Sequence, residues 1–94
     1  MAFTGKDFSM NKRLIAKNAF GKTVYCVLSS TEDYKEQIEK VFNIEKGRGF
    51  SIDLTDTEIK LVDYFHGDTV ATFDILSLED TEEDVLYQWN DVKL

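Results

Sequence analysis

Proline is absent from this chain of 94 residues, and cysteine, histidine and tryptophan occur once each. Against an average proline usage of about 5%, the absence removes Pro-rich linkers and PxxP recognition segments from consideration. A single cysteine forbids an intrachain disulfide, and one cysteine with one histidine cannot supply the closed N/S ligand set of a structural zinc site. No run of about 18 apolar residues is present, so no membrane-spanning helix is expected. The start Met1-Ala2-Phe3-Thr4-Gly5-Lys6-Asp7 lacks the basic-then-apolar order of a secretory signal. A cytoplasmic protein with no membrane association is the expectation. Cys26, set in Val24-Tyr25-Cys26-Val27-Leu28, reads as a small buried hydrophobe rather than a reactive thiol.

Cations are scarce in the second half. Residues 1–47 carry eight Lys/Arg against six Asp/Glu, a net +2, whereas residues 48–94 carry three against twelve, a net −9; together they make the −7 of the whole chain. If the halves fold onto different surfaces, the domain has an electrostatic dipole. Its acidic side then repels nucleic acid and anionic membranes and attracts basic proteins. With 43% hydrophobic and 13% aromatic residues the chain has the material for one modest core, so residues 1–94 are expected to form a single domain.

Along the chain, the first ten residues show no period and read as an irregular arm carrying Phe3, Phe8 and Met10. Residues 13–17 and 23–29, rich in β-branched and aromatic residues around Asn18-Ala19-Phe20-Gly21, predict a β-hairpin. A helix over 7–20 stopped by Gly21 is the competing reading. Ser30 with Asp33 three residues on predicts a helix N-terminus, and Tyr34, Ile38, Val41 and Phe42 recur on one helical face, giving a helix over 31–46 ended by Gly47 or Gly49. Residues 50–76 then read as an antiparallel meander: a strand around Ile52 and Leu54, a polar corner at Thr55-Asp56-Thr57-Glu58, a strand over 59–65, a reversal at His66-Gly67-Asp68, and a return over 69–76. Thr81-Glu82-Glu83-Asp84 resembles a capping box, and Val85, Leu86, Trp89 and Val92 share a helical face, predicting a second helix over 82–92. The fold class is therefore α+β, an antiparallel sheet of four to five strands with two helices on one face in the order ββαβββα. Ile38, Phe42, Ile52, Leu61, Phe73, Leu86 and Trp89 are the expected core.

Motif chemistry is thin. Asp80, Glu82, Asp84 and Asp91 stand at positions 1, 3, 5 and 12 of a twelve-residue calcium loop, but Val85 occupies the sixth position, where the EF-hand turn needs glycine. The oxygen-rich corner from Asp53 to Glu58 is the composition of a plain turn. His66 sits in a turn, where a histidine is ordinarily a solvated side chain. Asp63 and Asp74 lack the apolar flanks that would separate the pKa values of an acid/base pair. Gly47-Arg48-Gly49 follows a helix instead of preceding one, so the nearby macrodipole would repel phosphate. Neither an enzyme nor a metal or cofactor protein is expected.

Five of the six residues in 79–84 are carboxylates. Glu82, Glu83 and Asp84 are accounted for by the expected helix N-terminus. Asp53, Asp56, Glu58, Asp63, Asp68, Asp74, Glu79 and Asp80 are not, and they are the candidate partner-binding residues, with no structural role expected of the first six. The resulting expectation is a protein-binding module whose acidic face enters a basic groove on a partner such as a nucleic-acid-binding protein, as an inhibitor or nucleic-acid mimic. An assembly protein joining basic patch to acidic patch is the alternative, with the chain a monomer or weak homo-oligomer. Lys12, Arg13, Lys17 and Lys22 beside Phe20 and Tyr25 suggest a third reading, a nucleic-acid-binding hairpin, which the net charge of −7 opposes. No motif places the chain in a family; in composition only, it resembles phage-encoded inhibitors of host proteins.

Overall fold

A computed structural model describes residues 10–46, 50–63 and 65–92, with the backbone alone for 44–46. The expected arm with Phe3 and Phe8, the expected helix stop at Gly47 or Gly49, and the Gly47-Arg48-Gly49 loop lie outside the described residues.

The turn at 18–22 decides between hairpin and helix for the first segment. Asn18 Oδ1 accepts hydrogen bonds from the backbone N–H groups of Phe20 (3.0 Å) and Lys22 (2.9 Å), the side-chain turn that asparagine favours. Gly21 takes a positive φ of 84°, open to glycine at little cost. Strands β1 (Asn11–Asn18) and β2 (Thr23–Leu28) therefore pair antiparallel, Lys17 opposite Thr23 and Lys12 opposite Leu28.

Helix α1 (Tyr34–Lys46) starts later than the sequence suggests. Its cap is Asp33, whose carboxylate accepts from Lys35 N–H at 3.1 Å, while the Ser30 hydroxyl is buried without a hydrogen-bond partner. Four strands follow: β3 (Phe50–Leu54), β4 (Glu58–Asp63), β5 (Thr69–Thr81) and β6 (Leu86–Asp91). The expected second helix over 82–92 is overturned, and the expected third strand runs on to Thr81. The order is ββαββββ, six strands and one helix among the described residues. The capping-box chemistry is real but serves a chain reversal: Thr81 Oγ1 donates to Glu83 Oε1 (3.2 Å) and accepts from Glu83 N–H (3.2 Å). Local hydrogen bonds of this kind suit a turn as well as a helix start. In β6 the aromatic residues Tyr87 and Trp89 alternate onto the core face, and that period prevails over the helical spacing of Val85, Leu86, Trp89 and Val92.

All strands join one antiparallel sheet in the order β3-β4-β5-β1-β2-β6. Helix α1 touches both edge strands, β3 and β6, as well as β2. Six strands laid flat would put those edges about 24 Å apart, and a helix with its side chains is only about 10 to 12 Å across. The sheet must therefore curl round the helix, which fills the gap between its edges. Register shifts supply the curvature: Leu76 is extra in β5 against β1, Val70 is extra in β5 against β4, and β6 shifts against β2 between Tyr25 and Val27. Leu76 and Val70 are exposed because the ladder leaves them out.

Leu14, Cys26, Leu28, Ile38, Val41, Phe42, Ile52, Ile59 and Leu61 form the buried cluster inside the curl. Phe42 meets the rings of Phe73 (5.3 Å) and Trp89 (5.6 Å), which stack on each other at 5.4 Å. Of the expected core, Ile38, Phe42, Ile52 and Leu61 are buried. Phe73 and Trp89 are half-buried against the cluster, and Leu86 lies on the outer face opposite Val27.

Candidate functional site

Pairing of the strands decides where the charges meet. Strand β1, the most basic segment, lies between acidic β5 and β2, so the two halves of the sequence interleave instead of forming opposite surfaces. Lys12 pairs with Asp80, Arg13 donates two hydrogen bonds to Glu83 Oε1 (2.9 and 2.7 Å), and Lys22 reaches Asp91 at 3.0 Å. The Asp80 carboxylate raises the pKa of Lys12. Glu83 raises that of Arg13 and is itself held below the ordinary carboxylate value by the guanidinium. Arg13 also lies over the Tyr25 ring at 5.0 Å. Within the acid cluster at 79–84, Asp80 and Glu83 are thus counter-charges for β1, and the expected role of Glu82, Glu83 and Asp84 at a helix N-terminus falls with the helix.

The eight candidate carboxylates separate into three places. Asp63 and Asp68 flank the β4–β5 turn, where Gly67 has φ 73°. Asp63 has a structural role that the sequence did not reveal: Oδ1 accepts from Phe65 N–H (2.9 Å) and His66 N–H (3.4 Å), and Oδ2 lies 3.0 Å from His66 Nδ1. Those contacts, the imidazole first, lower its pKa. Glu79 and Asp80 sit near the end of β5, Glu79 opposite Arg13 and accepting from Ser77 Oγ at 3.1 Å, Asp80 on Lys12.

The third group surrounds the β3–β4 turn. Thr55 builds that turn, its N–H donating to Glu58 O (3.0 Å) and its hydroxyl accepting from Glu58 N–H (3.1 Å) and Thr57 N–H (3.3 Å). Asp56 is exposed at its tip. Asp53, Glu58 and Asp74 alternate with buried Ile52, Ile59 and core-facing Phe73, and so share the outer sheet face. Glu58 stands directly opposite Asp74 in the β4–β5 register, Asp74 stands opposite Lys17 in the β5–β1 register, and Asp53 stands opposite Lys60. Lys60 approaches Glu58 at 3.5 Å, but among the described residues Asp53, Asp56 and Asp74 take part in no ion pair. Asp63 and Asp74 are at opposite ends of β4, roughly 17 Å apart along the strand, and do not form an acid/base pair.

Next to this turn the curled sheet is open. A pocket of about 400 Å³ lies between the first turns of α1 and the sheet, lined by Leu14, Leu28, Tyr34, Ile38, Leu54, Thr55, Asp56, Ile75 and Leu78. Asp56 is the only charged residue in that lining. Nothing in the sequence signalled the pocket, because its walls come from five separate segments. A smaller pocket of about 240 Å³ at the other end of the curl is lined by Val24, Phe42, Phe73 and Trp89, with Asn18, Lys22 and Asp91 around it.

Cys26 is fully buried, and desolvation pushes its thiol up to about 12, which leaves it unreactive at neutral pH. Among the described residues no three of His, Cys, Asp and Glu gather into a metal-binding group. No helix among them is long and apolar enough to cross a membrane. No family model matches the chain, and no curated protein or solved structure gives a match.

Proposed function

We propose that the chain is a non-enzymatic protein-binding module that engages a basic partner surface through Asp53, Asp56, Glu58 and Asp74. One observation carries this reading. Glu58 and Asp74, directly opposite on an exposed sheet face, are a like-charge cross-strand pair, an arrangement that destabilises a sheet. With Asp53 and Asp56 beside them, and with Lys60 and Lys17 as the facing cations on the neighbouring positions, they form a group of four carboxylates against two ammonium groups, a net acidic patch. Such a surface speeds encounter with a cationic partner and disfavours anionic ones.

The competing readings have fewer residues to stand on. Lys12, Arg13 and Lys22 are engaged by Asp80, Glu83 and Asp91 in the same chain, which depletes the basic patch that head-to-tail assembly or direct nucleic-acid binding would need. The test is a pull-down from lysate at about 50 mM salt, with the wild type beside the combined Asp53→Asn, Asp56→Asn, Glu58→Gln, Asp74→Asn variant. Basic proteins retained by the wild type, lost by the variant and released by about 300 mM salt are the expected result. Equal retention by a folded variant overturns the proposal.

A further inference from the structure

The pocket beside the β3–β4 turn has a floor of three buried aliphatic side chains, Leu14, Leu28 and Ile38, and walls of Tyr34, Leu54, Ile75 and Leu78. Leu78 is 43% exposed although it lies on the core-facing side of β5, opposite buried Leu14. Its register places it on the core side, yet it stays exposed where the pocket opens. At about 400 Å³ the pocket is within the range that holds a ligand group. Apolar walls select an apolar occupant, and the charge at the mouth selects what flanks it. Asp56 is part of the lining; Asp53, Glu58 and Asp74 lie round the same turn but on the outer sheet face, with Lys60 and Lys17 as their facing cations, so a segment that leaves the pocket over the turn meets a net acidic surface. Asp80, further along β5, is balanced by Lys12 and adds no net charge.

We infer that this pocket is an anchor site for one large apolar side chain, of the size of Phe or Leu, presented by a Lys/Arg-flanked segment of the basic partner. The inference rests on the acidic-surface reading above and deepens it: the carboxylates steer and orient the segment, and burial of one side chain supplies most of the residence time. Interfaces commonly divide their work this way, with a central apolar anchor slowing dissociation and surrounding charges setting the approach. Asp56 belongs to both parts, since it stands where the flanking cations would pass as the side chain enters.

Two fluorescent nonapeptides test this, each with four Lys/Arg residues on either side of a central Phe or a central Ser, titrated against the full chain by anisotropy at about 50 mM salt. The Phe peptide is expected to bind at least about tenfold more tightly than the Ser peptide, with NMR shift changes at Tyr34, Ile38, Leu54 and Leu78. Leu78→Ser, a change at a half-exposed position, should bring the Phe peptide down to the Ser peptide's affinity and leave the Ser peptide unaffected. Asp56→Asn should weaken both. Equal binding of the two peptides, with loss of both in the four-carboxylate variant, overturns the anchor pocket and leaves the acidic surface standing. Binding that survives in that variant, or absent binding of both peptides, overturns the acidic-surface reading and the anchor with it. An uncharged N-acetyl-phenylalanine amide that binds as tightly as the Phe peptide would make this a site for apolar small molecules and overturn the basic partner.

Discussion

Gln37 is the residue whose importance is least visible in the sequence. Its polar side chain is buried at the start of α1, and the side-chain hydrogen bonds it makes reach outside its own helical turn. Its amide oxygen accepts from Ser29 N–H (2.7 Å) and Tyr87 Oη–H (2.9 Å), and its amide nitrogen donates to Ser29 O (2.8 Å) and Glu32 O (3.2 Å). One side chain thus ties the end of β2, the loop before the helix, and β6. Gln37→Ala is expected to cost roughly 1 to 3 kcal/mol, the penalty for leaving buried donors and acceptors unmade. Urea denaturation would measure it, and a loss below about 0.5 kcal/mol would mean that the network relaxes onto water. Asp63 offers a second test at this scale. Its pKa lies below the ordinary 3.8 in the folded chain, so its contribution is fully present above that value and is lost as the pH falls through the lower folded one. Asp63→Asn should flatten that part of the acid limb of a melting-temperature profile, and an unchanged limb would show that the turn contacts of Asp63 do nothing for the fold.

At the scale of elements, the β1–β2 and β4–β5 turns depend on glycine where β6 depends on aromatic alternation. Gly21 and Gly67 both have positive φ, and an added side chain at Gly67 would meet no other atom within 4 Å, so any cost there is conformational and not steric. Gly67→Ala is expected to destabilise by about 1 to 2 kcal/mol, the cost of the left-handed region for an L-residue, read by thermal or urea unfolding. The local signals of segment 82–92 and its cap at Thr81 are ambiguous in a physical sense. A hydroxyl and a carboxylate two residues apart satisfy backbone groups equally at a helix start and at a tight reversal, and Val85, Leu86, Trp89 and Val92 fit a helical face while Tyr87 and Trp89 fit a strand. A free edge beside β2 and the ring stack of Trp89 on Phe73 exist only after the rest of the sheet has formed. By contrast, α1 and the β1–β2 hairpin have their deciding groups inside them: Asp33 at one helix end, Asn18 and Gly21 at one turn.

For the whole molecule, closure of the sheet around α1 makes Phe42 the common neighbour of helix, β5 and β6. Phe42→Ala should therefore cost about 3 to 5 kcal/mol, as for large aromatic truncations in cores, enough to unfold a marginal domain of this size, and circular dichroism would register it as loss of the β-signal. Charge acts at this scale too. Glu83 titrates below its ordinary 4.5 because Arg13 holds it, so the tie between β1 and the turn after β5 is complete above that value and is lost as the pH falls through the folded one. Lys12 is raised above 10.5, so its tie to Asp80 is complete below that pH and is lost as the pH rises through the higher folded value. A melting-temperature profile should accordingly fall at both ends. Glu83→Gln should lower the plateau and reduce the acid-side fall, and an unchanged profile would show that the Arg13 contact does nothing for the fold.

Composition and local pattern alone determined a modest core with a buried, inert cysteine, one amphipathic helix and an antiparallel meander after it, and they favoured a β-hairpin around Asn18-Gly21 over a helix without deciding between the two. Those features rest on interactions within a few residues or on simple counts. Tertiary structure decided the rest: that 86–91 is the sixth strand, that the sheet curls round the helix, and that the cations of the first half neutralise carboxylates of the second. Net charge per segment is a property of the sequence, but the field of a folded protein depends on which strands become neighbours. Here β1 lies against β5, with Arg13 directly opposite Glu79, 66 residues further along the chain and adjacent in space. Around the β3–β4 turn, beside a pocket whose walls come from five separate segments, Asp53, Asp56 and Asp74 make no ion pair among the described residues.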